Sequence, residues 1–434
     1  MKLADMQKSD LEAVEKQLLG EFEALKGEGL SLDMTRGKPA PDQLTLADGM
    51  LSLVGPGETA GEDGTDYRNY GIVEGIPEAR RLFAEYMGVT PAQIIVGGNG
   101  SLTMMYDTLA GAVLFGMPGG KGPWKRAGAA AGSGEGASKV ICPVPGYDRH
   151  FAICERLGLE MVTVPMLDDG PDMDAVEALA ADPDVKAIWC VPKYSNPTGA
   201  VYSQAVSERL AKMTTGAPDF RILWDNAYAV HHLGGGPAEI PDILSLCEKA
   251  GNPDRVLMFG STSKITYAGS GVAMMAASET NIADAAKKLS FATIGPDKLN
   301  QLRHVRFFQS MDGILAHMEK HADIVKPKFD AVEEALSRRL ADKGIADWTA
   351  PQGGYFVSLD VMDDCASEII RLAGEAGVKC TPAGSTFPYK KDPADRNIRI
   401  APTLPSVAEI EKAMEVLCVA VELTCARRLL GRNR

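Results

Sequence analysis

No run of apolar residues in this 434-residue chain approaches the roughly 20 needed to cross a bilayer, so a membrane-spanning helix is excluded. The first residues, MKLADMQKSDLEAVEK, lack the apolar stretch of an export signal, and the expected location is cytoplasmic. A basic excess is missing too, since 58 Asp and Glu outnumber 45 Lys and Arg and leave a net charge of −13. Nucleic acid and anionic membrane both select a basic surface, so neither is an expected partner. An anionic ligand would need cations gathered locally. The eight cysteines contain no C-x-x-C pair and sit mostly in apolar runs such as AIWCVP, which reads as buried reduced thiols and argues against a zinc site. His231 and His232 are adjacent but have no third ligand near them, so no metal site is expected. Gly97, Gly98 and Gly100 fail the dinucleotide fingerprint at Thr103, and GSTSK lacks the glycines of a phosphate-binding P-loop.

What is present is an ordinary globular composition, 45% hydrophobic and 24% charged, in a chain long enough for two domains. Leu11, Val14, Leu18, Leu19, Phe22 and Leu25 recur at helical spacing and predict an amphipathic helix near the start. LSLDMTRGKPAPDQL then reads as an extended connection. From about residue 76, short apolar segments (QIIVGG, SKVICPVP, EMVTVPM, VKAIWCVP, FRILWDNA, RVLMFGST) alternate with helical patterns. That alternation predicts an α/β fold, a mostly parallel sheet sandwiched by helices. Residues 116–138, rich in Gly and Ala, read as a long mobile surface loop. The expected division is a large domain over 49–310, with a smaller α+β domain built from 311–434 together with the N-terminal helix and arm, 1–48.

Ligands of an open parallel sheet bind outside the carboxyl ends of its strands, so the residues just past each strand carry the chemistry. They are Asn99, Gly100 and Ser101, then Tyr147, Asn196, Asp225 with Tyr228, and Ser261, Ser263 and Lys264. Together they suit a phosphorylated aromatic aldehyde. Backbone N–H groups at Gly100 and Ser101 suit a phosphate at a helix N-terminus. Tyr147 offers a stacking face, and a buried Asp225 would keep a ring nitrogen protonated. Asn196 and Tyr228 can donate to a ring oxygen. Lys264, in FGSTSKITYAGSGVAMM with no carboxylate nearby, is an amine able to lose its proton and condense with the aldehyde. The cofactor this describes is pyridoxal 5'-phosphate. Singly, each residue has a plain structural explanation; the expectation rests on their joint order.

The same motifs resemble the fold-type I pyridoxal-phosphate enzymes, and within them the aspartate aminotransferase family in a bacterial subgroup. YGIVEG at Tyr70, NPTG, DNAY, STSK and RIAP at Arg399 occur in the family's order, and the likeness covers nearly the whole chain. The resemblance implies that Lys264 holds the cofactor and moves the proton at the substrate α-carbon. It implies Asp225 at the ring nitrogen, Asn196 and Tyr228 at the ring oxygen, and Gly100, Ser101 and Ser261 at the phosphate. Arg399, with Asn196, would clamp the substrate α-carboxylate. Tyr70 corresponds to a tyrosine that reaches the neighbouring subunit's phosphate, which implies a homodimer with shared active sites. Two positions depart from the family. Val272 stands where an arginine usually grips the phosphate, with the hydroxyls of Ser263 or Ser270 as substitutes. Gly295 stands where many members carry an arginine for the distal carboxylate, which leaves the loop Arg36, Gly37 and Lys38 as first choice and Arg303 as second. The implied reaction is ping-pong transfer of the amino group of aspartate to 2-oxoglutarate, so the partners are small amino and keto acids. Other amino donors, or a lyase or decarboxylase on the same scaffold, stay open. A sensor domain of a transcription regulator is not expected, because one helix alone precedes the large-domain pattern.

Overall fold

The computed structural model describes residues 2–127 and 136–432. Its central element is an eight-stranded sheet in the order Ile94–Val96, Ala273–Ala277, Val256–Ser261, Arg221–Asp225, Val185–Cys190, Lys139–Val144, Glu160–Leu167, Gly170–Pro171. From Val256–Ser261 through to Glu160–Leu167 the pairing is parallel. The strand Ala273–Ala277 runs antiparallel to both of its neighbours. Residues alternate between two buried faces. Ile141, Ile188, Ile222 and Met258 enter one hydrophobic core, while Val140, Ala187, Leu223 and Leu257 enter another. A strand buried on both sides needs the near-continuous apolar run that these segments have.

Parallel pairing brings Val144, Cys190, Asp225 and Ser261 to one edge of the sheet as the carboxyl ends of their strands. Helices begin directly beyond that edge. Gly100 caps Ser101–Phe115, and Tyr147 caps Asp148–Leu157. The latter buries His150, Phe151, Ile153, Cys154 and Leu157 on one face and stops at Gly158, whose φ of 71° is left-handed.

A second core joins the N-terminal helix Lys8–Gly27, the end of Met311–Leu340, Ala366–Glu375 and Val407–Leu429. These helices pack on an antiparallel sheet of Ala346–Trp348, Val357–Val361 and Asn397–Ile400. The helix Met311–Leu340 links the two cores, with Ile314 and Met318 in the first and Val332, Leu336 and Leu340 in the second.

Three local features differ from the sequence reading. The strand Ala273–Ala277 was not anticipated, because AMMAA contains no β-branched residue; its two neighbours impose the extended form. The supposed extended connection holds a short strand, Leu32–Met34, parallel to Val378–Cys380, and a short helix, Pro41–Thr45. In the segment 116–138, residues 128–135 lie outside the described residues, and the flank before them is anchored. Trp124 is 2% exposed and its Nε1 donates to Asp219 Oδ2 at 2.8 Å.

Candidate active site

The carboxyl edge of the large sheet meets the three-stranded sheet across a cavity of about 650 Å3. Its lining includes Arg36, Gly37, Lys38, Tyr147, Asn196, Tyr228, Lys264 and Arg399. Residues far apart in the chain are thus brought to one space. Six cations (Arg36, Lys38, Arg149, Lys264, Lys390, Arg399) face it against two carboxylates, Asp148 and Glu155. In a chain of net charge −13 this is a local concentration of positive charge.

Lys264 follows the buried strand Val256–Ser261 on the turn Thr262–Thr266, where Ile265 N and Thr266 N both donate to Thr262 O. Its Nζ makes no hydrogen bond or ion pair among the described residues. It lies 5.0 Å from the ring centroid of Tyr228 and 6.0 Å from that of Tyr355. Burial holds its pKa below the ordinary lysine value, with the charge of Asp225 opposing the shift.

Two histidines brace the turn from beneath. His304 Nδ1 lies 2.8 Å from Asn300 O, which can only accept, so Nδ1 carries the proton. His304 Nε2 then has one lone pair to offer the two hydroxyls within reach, Thr262 at 3.1 Å and Thr266 at 3.0 Å. His317 Nε2 lies 2.8 Å from Ile265 O.

Asp225 ends its strand with 2% exposure. One oxygen, Oδ2, lies 2.9 Å from His150 Nε2, and the other, Oδ1, is buried without a hydrogen-bond partner among the described residues. A carboxylate only accepts, so the contact places the imidazole proton on Nε2. The imidazole of His150 also stacks on Trp189, with centroids 4.0 Å apart and planes 4° from parallel, and meets the ring of Tyr147 edge-on at 4.9 Å. His150 did not enter the sequence reading, because one histidine in an amphipathic helix looks like any core residue. Its signal is its place one turn after Tyr147.

Arg399 projects from the strand Asn397–Ile400 with 7% exposure. Nη1 donates to Asp148 Oδ1 at 2.9 Å and, at a longer 3.4 Å, to Asn196 Oδ1. The guanidinium carbon lies 4.8 Å from the centroid of Phe356. Phe356 is in turn hemmed in by Gly37, where an added Cβ would fall 2.7 Å from its Cζ. The loop Arg36 to Lys38 is tied down by Thr381 Oγ1 donating to Thr35 O and Thr403 Oγ1 donating to Lys38 O, both at 2.9 Å.

Asn99, Gly100, Ser101, Ser261 and Ser263 form a neighbouring cluster. Ser263 Oγ donates to Asn99 O at 2.9 Å, and Ser263 N reaches Ser261 Oγ at 3.4 Å. The Val272 side chain is packed in the core at 1% exposure, so no charge comes from that position. Ser270 and Gly271 turn their carbonyls to Asn300 Nδ2. At Gly295 a Cβ would meet Gly71 O at 2.3 Å, which excludes any side chain. Arg303 sits in the helix Lys298–Phe308 and is not part of the cavity lining. Tyr70 points outward and is 82% exposed.

Among the described residues no His, Cys, Asp and Glu cluster could hold a metal ion, and no helix is long and apolar enough to cross a membrane. The model of the aspartate amino-transferase family matches residues 6–433. An aspartate aminotransferase of Corynebacterium glutamicum is 48% identical over 93% of this chain and 92% of its own. A crystal structure of an aspartate transaminase from the same species superposes with a TM-score of 0.95, at 46% identity and 99% coverage of both chains. The α-aminoadipate aminotransferase LysN of Thermus thermophilus, solved with N-(5'-phosphopyridoxyl)-L-leucine, shares the fold at a TM-score of 0.72 and 21% identity, covering 96% of this chain and 97% of its own. The protein is an aminotransferase with the fold-type I architecture, and it belongs to the aspartate aminotransferase family.

Proposed function

We propose that the cavity binds pyridoxal 5'-phosphate and transfers the amino group of aspartate to 2-oxoglutarate, giving oxaloacetate and glutamate. The observation that carries this reading is the bare oxygen of Asp225. A buried carboxylate oxygen left without a partner costs about 1–3 kcal/mol or more, so the fold retains it for a group that donates to it. A protonated pyridine nitrogen is such a group, and when bound it draws electrons from the substrate α-carbon. Asn196 Nδ2 and the Tyr228 hydroxyl, with no hydrogen-bond partner among the described residues, would hold the ring oxygen. The ring of Tyr147 would cover one face. The phosphate would take the N–H groups opening the helix Ser101–Phe115, with the hydroxyls of Ser261 and Ser263. Asn99 shapes that turn through its carbonyl.

Lys264 would hold the cofactor and would take and return the proton at the substrate α-carbon. Burial lowers the pKa of this lysine and so favours its neutral form, the form a base needs. Arg399 orients the α-carboxylate. The distal carboxylate meets the rim cations, with Arg36 and Lys38 as first choice, and Arg149 and Lys390 facing the same space. Gly37, between them, leaves the room that the ring of Phe356 occupies.

Three further parts of the reading are proposed with it. Residues 49–310 act as the cofactor-binding domain, while 311–434 together with 1–48 act as the smaller one. The active form is a cytoplasmic homodimer in which Tyr70 reaches the phosphate of the neighbouring site.

A turnover panel of amino donors with 2-oxoglutarate tests the substrate. Aspartate should be the fastest donor, yielding oxaloacetate and glutamate in equal amounts, and Lys264→Ala should abolish turnover. Faster turnover of aromatic or branched donors overturns the aspartate assignment.

A further inference from the structure

The carboxylate of Asp148 occupies the arginine that the proposed function assigns to the substrate α-carboxylate, and the following inference rests on that assignment. Both N–H groups of Arg399 Nη1 are engaged, one by Asp148 Oδ1 at 2.9 Å and one by Asn196 Oδ1 at 3.4 Å. Nε is buried and has no partner among the described residues, so a carboxylate reaches it only if the guanidinium turns, which itself breaks the contact with Asp148. End-on, two-point capture of a carboxylate needs one N–H from each Nη. A substrate carboxylate docking in this way must therefore take an N–H from Asp148 or Asn196. The two carboxylates then compete for one guanidinium and repel each other.

The surroundings suit an exchange. The guanidinium of Arg399 lies over the ring of Phe356 at 4.8 Å, a support separate from its acceptors. Asp148 has 36% side-chain exposure and is the first residue of the helix Asp148–Leu157, where the helix N-terminus stabilises a carboxylate that has left its partner. Its neighbour Arg149 is exposed on the same rim.

We propose that Asp148 is a positioning residue that acts as a built-in competitor for the substrate α-carboxylate. It fixes Arg399 through an internal ion pair, and it weakens carboxylate binding because the substrate must exchange with it. A merely structural role predicts looser binding when Asp148 is altered, whereas competition predicts tighter binding.

The test is the dissociation constant of two unreactive carboxylates, maleate and 3-phenylpropionate, measured by calorimetry on the cofactor-loaded enzyme. Asp148→Asn should tighten the better-bound probe roughly threefold to thirtyfold, the range of a partly buried ion pair. Asp148→Glu should return it toward the wild-type value. Glu155→Gln removes the same charge from the same cavity without touching Arg399, and should change the constant less than about twofold. If Asp148→Asn binds with unchanged or lower affinity, or if Glu155→Gln matches it, the competitor role is overturned. Should Asp148→Asn not fold, Asp148→Ser reads the same constant. A preference for 3-phenylpropionate over maleate counts against aspartate as substrate, yet leaves the variant-to-wild-type ratio intact, so the two failures are distinguishable.

Discussion

At the scale of single residues, His150 determines how Asp225 can work. Its Nε2 holds one carboxylate oxygen at 2.9 Å, and its ring is clamped flat against Trp189. The second oxygen is thereby fixed in direction. His150→Asn leaves a cavity beside Trp189 and removes that donor from a buried carboxylate. A hydrogen bond to a charged group is worth about 1.5–3 kcal/mol, so kcat should fall about tenfold to a hundredfold. Stopped-flow turnover with the cofactor saturating checks this, and an unchanged kcat would show that Asp225 needs no such support. Gly37 makes a second case. Gly37→Val would drive a side chain into Phe356 and displace the ring on which Arg399 rests. Because the damage falls on carboxylate capture, KM should rise roughly tenfold while kcat changes less.

Among the elements, the turn Thr262–Thr266 matters most, since it carries Lys264 and depends on neutral histidines beneath it. Burial pushes both His304 and His321 down to about 4 from the ordinary 6.5. His321 lies 3.1 Å from His317, which supports Ile265 O. A histidine with a depressed native pKa binds fewer protons folded than unfolded between those two values, so stability rises with pH there. The contribution is complete above about 6.5, falls as the pH drops, and is gone below about 4. Thermal unfolding from pH 7.5 to 4.5 should lose a few kcal/mol, and His304→Gln should flatten that slope while lowering stability at pH 7.5. An equally steep slope in the variant would sink this account.

The same scale separates what was legible in the sequence from what was not. Strands such as Val256–Ser261 and Arg221–Asp225 announce themselves by apolar runs buried on both faces, and Tyr228 and Lys264, which follow them, line the cavity. The strand Ala273–Ala277 does not, because its extended form comes from its neighbours and not from its own propensity. Nor do His150, Phe356 and Asp148, whose roles arise from contacts between segments distant in sequence. Arg399 and Asp148 are joined across 251 positions, and no local pattern records such a pair.

For the whole molecule, the decisive question is assembly. Tyr70 is 82% exposed, Ile294 62% and Phe291 85%. Tyr70 and Ile294 are held together by Gly71 N donating to Ile294 O at 3.1 Å. Large apolar side chains grouped on a surface mark an interaction site more often than chance exposure. The proposed homodimer would cover them and would give Tyr70 a site to reach. Sedimentation at micromolar concentration should therefore return twice the 46.2 kDa chain mass, and the unfolding temperature should rise with protein concentration. Sharing of sites has its own signature. Lys264→Ala lacks the amine and Tyr70→Ala lacks the proposed donor to the neighbour's phosphate, so each homodimer should be nearly inactive. In a hybrid, the subunit that keeps Lys264 receives Tyr70 from its partner, and one site of the two is whole. Random reassociation of equal amounts makes half the dimers hybrid, so about a quarter of wild-type activity should return. If the mixture stays as inactive as its components after subunit exchange is verified by mass, Tyr70 serves its own chain or none, and each subunit works alone.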